Sequence, residues 1–171
     1  MKVDADTLAG LIGVPDYNDE IIQILEVWGE DRPSDSGTGT AFVTSQSNNI
    51  SLMFDYNIFT NEQKKLQETG CMFLNQIDFR EKSAYGFPFG LMKGDTPKSA
   101  IEKIHSNQDL VIDGQYIVAD TYRIWISMGE RKLFLNIKFE DEALKSLKDV
   151  LLNFYHVESD YSAFEPYKVD L

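Results

Sequence analysis

The stretch DTYRIWISMGERKLFLNIKF, residues 120–139, decides the fold. Tyr122, Ile124, Ile126 and Met128 occur at every second position, and so do Leu133, Leu135, Ile137 and Phe139. Residues two apart share one face of a strand, so each run builds a strand with one apolar face. Gly129-Glu130 between them suits a short hairpin turn. The spacing therefore predicts strands over 120–128 and 132–139. A third strand over 149–155 puts Val150, Leu152 and Phe154 on the same side.

Working outward, the same pattern predicts strands over 39–44, 50–55 and 71–80. The turn between the first two falls on the polar cluster Gln46–Asn49. Each group of strands is preceded by a helix. Ile21, Leu25 and Trp28, widened by Ile22 and Ile24, form an apolar stripe on a helix over 17–28. A second helix spans 96–105, where Asp95 or Thr96 caps the start and Pro97 suits the first turn. A short first helix carries Leu8, Leu11 and Ile12, capped by Asp6 or Thr7 and ended by Gly13-Val14-Pro15. Residues 60–69 read as a loop or a lone helical turn. The expected fold is α+β: two helix-plus-antiparallel-meander halves, 1–85 and 86–171, packed as one unit. Helices cover one sheet face and the other is left open.

That open face is where function is expected. The expected core holds Ile50, Leu52, Phe54, Phe73, Ile77, Phe79, Tyr122, Ile124, Ile126, Met128, Leu133, Leu135, Ile137, Phe139, Val150, Leu152 and Phe154. The opposite face then receives Arg123, Trp125, Ser127, Lys132, Phe134, Asn136, Lys138, Leu151, Asn153 and Tyr155. In the first half it receives Met53, Asp55, Met72, Leu74, Gln76, Asp78 and Arg80. Aromatics and methionines set among charges are typical of a protein-binding patch rather than a plain solvent face. The alternative occupant of such a face is a second copy of the chain.

Composition narrows the partner. Twenty-eight carboxylates oppose sixteen Lys and Arg residues, for a formal net charge of -12. Nucleic acid is bound by cationic side chains, so this chain would repel it. A basic protein partner would instead be steered in. The acid is concentrated early: nine carboxylates lie in residues 1–35 against Lys2 and Arg32. Asp16, Asp19 and Glu20 suit a helix start, where unpaired N–H groups favour anions. Glu30 precedes, and Asp31 and Asp35 fall in, the loop DRPSDSGTG, which reads as exposed and mobile. Candidate partner-binding residues are thus Asp31, Asp35, Met53, Asp55, Asp78, Trp125, Phe134, Asn136 and Tyr155.

Catalytic equipment is missing from the sequence. Cys71 is the one cysteine, expected as a buried thiol, and His105 and His156 are the two histidines. None of them forms a Cys/His signature or a metal-ligand spacing. There is no phosphate loop, no Cys-x-x-Cys, no His-Glu-x-x-His and no Gly-x-Ser-x-Gly. The reading is a non-enzyme with no cofactor and no metal. The start, MKVDADTLAG, lacks the long apolar run of a secretory leader, and no segment is apolar enough to span a membrane. A cytoplasmic protein is expected.

The segment 85–96, YGFPFGLMKGDT, resembles the (L/F)P(F/Y)GL-x-x-G(D/M)(T/S) opening of small bacterial modules. Such modules occur in immunity proteins of interbacterial toxin systems. They are similar in outline to the β-lactamase inhibitor protein, with its tandem helix-and-sheet repeats, and to the small outer-membrane-assembly lipoprotein fold. The first half fits the same outline through Leu8–Pro15, residues 50–55 and residues 73–78. The chain lacks the lipobox cysteine of the lipoprotein branch. The resemblance implies a cytosolic protein that binds and silences a cognate toxin, and it carries over no individual site residue.

Overall fold

A computed structural model describes residues 3–140 and 146–154. The fold is α+β. Among the described residues seven strands form one antiparallel sheet: β1 (Thr40–Ser45), β2 (Ile50–Asp55), β3 (Phe73–Phe79), β4 (Val111–Val118), β5 (Thr121–Met128), β6 (Arg131–Phe139) and β7 (Leu147–Phe154). Their order is β1-β2-β3-β7-β6-β5-β4. Two meanders are thus joined edge to edge where β3 pairs with β7, from Gln76↔Asn153 to Phe79↔Val150. The hairpin of residues 120–139 pairs Tyr122 with Ile137, Ile124 with Leu135 and Ile126 with Leu133, and Met128↔Arg131 closes it over Gly129-Glu130.

Among the described residues four α-helices accompany the sheet: α1 (Ala5–Gly10), α2 (Asp19–Trp28), α3 (Asn61–Leu66) and α4 (Pro97–Ser106). Local sequence explains their ends. Asn18 accepts from the amides of Glu20 and Ile21 at the start of α2, and Gly29 stops it at φ 72° in the left-handed region. Thr96 and Ser99 form a reciprocal capping pair on α4, with Pro97 in its first turn. Thr60 and Gln63 do the same for α3. The cap of α1 is Asp4, which accepts from the Thr7 amide. Asp6, expected there, instead accepts from the Phe89 amide at 2.6 Å and so ties α1 to the middle of the chain.

One core runs the length of the sheet. It takes Leu8 and Ala9 from α1, Ile21, Ile24 and Leu25 from α2, and Ala100, Ile101 and Ile104 from α4. These meet Ile50, Leu52, Phe54, Ile77, Phe79, Ile124, Ile126, Leu135, Ile137, Val150 and Leu152. Of the strand residues expected in this core, Met128 is only partly buried against it and Phe73 is buried outside the cluster; the rest are buried within it. The motif segment belongs here too: Pro88, Phe89 and Leu91 are buried, and the Tyr85 hydroxyl accepts from Trp28 Nε1 at 2.6 Å.

Three features depart from the sequence reading. Strand β4 was not expected, because Asp113 and Gly114 break its alternation where the register shifts against β5. Helix α3 is more than a lone turn, and its Gln63 is buried. Finally, β3 carries a bulge: Met53 pairs with Gln76 but Phe54 pairs with Leu74, so Asn75 is extra. One inserted residue reverses the facing of everything before it. Leu74 therefore turns into the core and Phe73 pairs with Asp55. Met72 is also buried in the core, not on the open face.

Candidate functional site

The face opposite the helices presents two adjacent rows of side chains. Cross-strand pairing aligns Phe42, Met53, Gln76, Asn153, Phe134, Trp125 and Gly114 across all seven strands. The next row aligns Thr44, Ser51, Asp78, Leu151, Asn136, Arg123 and Tyr116. Most of these side chains are partly exposed, and Phe42 is 65% exposed. Five candidate residues meet here: Met53, Trp125 and Phe134 in the first row, Asp78 and Asn136 in the second.

The β4–β6 end of the face holds an aromatic ladder. Trp125 lies 5.2 Å from Tyr116 and 5.0 Å from Phe134, centroid to centroid. Such spacing fits offset and tilted ring contacts. Gly114 faces Trp125: an added Cβ would sit 3.5 Å from the indole, an ordinary contact. Arg123 reaches over the Tyr116 ring at 5.6 Å, and its Nη1 donates to the Tyr116 hydroxyl at 2.8 Å. Tyr116 and Arg123 were not among the candidates. Tyr116 lay on the unexpected strand, so its place beside Trp125 was hidden.

Charges frame the ladder in pairs. Arg80 bonds Asp78 at 3.0 Å, Lys132 bonds Asp113 at 3.1 Å, and Lys138 stands 3.9 Å from Asp120. Exposed pairs like these contribute little to stability and remain available for exchange with another surface. Two buried polar atoms of the same face, Arg123 Nε and Asn153 Oδ1, have no hydrogen-bond partner among the described residues.

The remaining candidates lie elsewhere. Asp55 is buried, accepting from Asn75 Nδ2 at 2.6 Å and the Asn57 amide at 2.8 Å. Asn75 in turn accepts from Gln63, which also donates to the Gly13 carbonyl. This closed network anchors α3 at the sheet end, so Asp55 is a structural carboxylate and not a surface contact. Asp35 is exposed, and its Oδ1 accepts from the amides of Gly37, Thr38 and Gly39. It organises the turn into β1. Asp31 is exposed in the same loop, and its neighbour Arg32 pairs with buried Asp16 at 3.0 Å. Tyr155 lies outside the described residues.

Away from this face, a groove of about 680 Å³ lies between α1, α3 and the β5–β6 turn. Its walls include Asn18, Glu62, Asp109, Glu130 and Arg131. Arg131 spends one guanidinium bond on the Gly10 carbonyl at 2.8 Å. Near the motif segment, Lys93 bridges Glu81 at 2.8 Å and Glu140 at 3.4 Å. The bond to Lys93 holds the Glu81 carboxyl below the usual carboxylate range, and the same contact raises Lys93. Cys71 is buried. Among the described residues no group of three His, Cys, Asp or Glu side chains is placed to hold a metal ion. No described helix is long and apolar enough to cross a membrane. Comparison with protein-family models, curated proteins and solved structures gave no match to this chain.

Proposed function

We propose that this chain is an immunity protein that binds and neutralises a cognate toxin protein, a nuclease by preference, through the open face of its sheet. The observation that carries the reading is the ladder of Tyr116, Trp125 and Phe134 on a face framed by ion pairs. Aromatic anchors surrounded by polar groups are how tight protein interfaces concentrate their binding energy. Net charge of -12 favours a basic partner, and a nuclease presents a basic cleft to its own substrate. The likeness of residues 85–96 to bacterial immunity modules points the same way. On this reading the protein works in the cytoplasm as a stoichiometric inhibitor and performs no catalysis.

The test uses the product of the adjacent reading frame. Co-expression should protect cells from that product, and the purified pair should associate. Trp125→Ala and Phe134→Ala should each weaken binding by roughly 2 kcal/mol while the fold persists. A neighbour that is harmless alone, or that ignores this chain, would sink the proposal.

A further inference from the structure

The two outer strands of the sheet are built differently. At one edge, β4 is kinked: its register against β5 shifts between Ile112 and Gly114, around Asp113. A bulge and a charge are common ways of blocking an edge against further pairing. At the other edge, β1 has neither. It pairs with β2 in unbroken register from Thr40↔Asp55 to Ser45↔Ile50. Its sequence, TAFVTS, holds no proline and no charge, and Phe42 projects from it with 65% exposure.

The charge pattern singles out the same place. Between Asp35 and Asp55 the chain carries no Asp, Glu, Lys or Arg. No other stretch of comparable length is uncharged in a chain that is 26% charged. The neutral stretch is the β1–β2 hairpin with the turn that leads into it. Two copies of a molecule with net charge -12 repel each other over most approaches. Edge to edge at β1 they meet as neutral surfaces. A charged peptide would find no opposite charge along this strand.

We infer that β1 is the edge through which two copies of this chain join, extending the sheet across a two-fold axis. The pleat fixes the register. Opposed residues of an antiparallel pair point to the same face, so Phe42 cannot oppose Val43 of the second copy. A two-fold axis through Phe42 satisfies the rule. It sets Thr40 against Thr44 of the second copy, Ala41 against Val43, and the two Phe42 rings against each other on the open face. The exposed ring thereby gains an aromatic cross-strand neighbour. The acidic loop before β1 then approaches the turn Gln46-Ser47-Asn48-Asn49 of the second copy, which is uncharged. The ladder at Trp125 lies at the far side of the sheet and stays open in such a dimer. One short strand pair buries little area, so the affinity should lie in the micromolar range. This inference does not depend on the proposed function, because it concerns the chain alone.

The experiment is sedimentation equilibrium on the full chain through the micromolar range. Comparison is with Thr44→Lys, Phe42→Lys and the opposite-edge control Val111→Lys, each checked by circular dichroism. A reversible dimer is expected for the wild type and the control. Each lysine on β1 should raise the dissociation constant roughly tenfold or more. Hydrogen exchange should slow at residues 40–45 as concentration rises. A wild type that stays monomeric throughout overturns the inference, as does a dimer indifferent to both β1 lysines. Slowed exchange at 121–139 in place of 40–45 would also overturn it, because the open face would then be the interface.

Discussion

Trp125 stands between two rings, with Tyr116 at 5.2 Å and Phe134 at 5.0 Å. It is neither a core residue nor a bare surface one. Removing it deletes two ring contacts worth about 1 kcal/mol each, without opening a hole in the main core. Trp125→Ala should therefore fold, with melting lowered by several degrees for a chain of this size. Its neighbour on the strand behaves differently. Ile126 is fully buried, and a carboxylate there would lack any partner. Ile126→Asp should unfold the protein, since several kcal/mol is set against a total of about 5–15 kcal/mol. Circular dichroism of the two variants checks both statements, and a well-folded Ile126→Asp would show the strand phase to be wrong. Tyr122 adds a pH signature. Burial pushes its phenol above the ordinary value of 10.0. The unfolded chain therefore ionises this group first, and stability falls as pH climbs past the ordinary value. Tyr122→Phe should show a shallower alkaline loss in denaturant titrations, and an unchanged slope would assign that loss to other groups.

Elements were legible where one period ran unbroken. The hairpin of residues 120–139 alternates throughout, and its facing, partner register and turn all follow from that. Helices α2 and α4 announce themselves by stripe and cap. Legibility failed where a single residue reset the phase. Asn75 in β3 and Asp113 in β4 are each one extra residue against the neighbouring strand. Alternation cannot reveal a bulge, because the reset depends on what the opposite strand offers. The cost fell on the candidate site. Alternation points Leu74, Met72 and Asp55 outward, but Leu74 and Met72 are buried and Asp55 is bonded inside, and it leaves Tyr116 out. Within the bulge, Asn75 links Asp55, Asn57 and Gln63. Asn75→Leu should take one hydrogen bond from the buried Asp55 carboxylate and one from the Gln63 amide, costing about 1–3 kcal/mol. Gly13 is the second pin of this corner: it adopts φ 90°, and a Cβ would meet the Phe154 ring at 3.0 Å. Gly13→Ala should destabilise by more than 1 kcal/mol or so. Chemical denaturation measures both, and neutrality of Asn75→Leu would mean that α3 docks without the network.

At the scale of the molecule, the sequence suggests two halves, while the sheet and the core run through both. The β3–β7 ladder joins the meanders, and one apolar cluster extends from Ala5 to Phe154. The two tryptophans are placed to test this. Trp28 reports on the first half, where its indole donates to Tyr85, and Trp125 reports on the second. Trp28→Phe and Trp125→Phe each leave a single fluorophore. Either substitution will shift overall stability, so each variant is compared with itself. In both, the fluorescence midpoint in denaturant should coincide with the midpoint seen by far-ultraviolet circular dichroism, as an all-or-none transition requires. Two halves that fold separately would instead let one reporter move while much of the dichroism remained. That outcome would make the β3–β7 ladder a contact between two domains and not the spine of one.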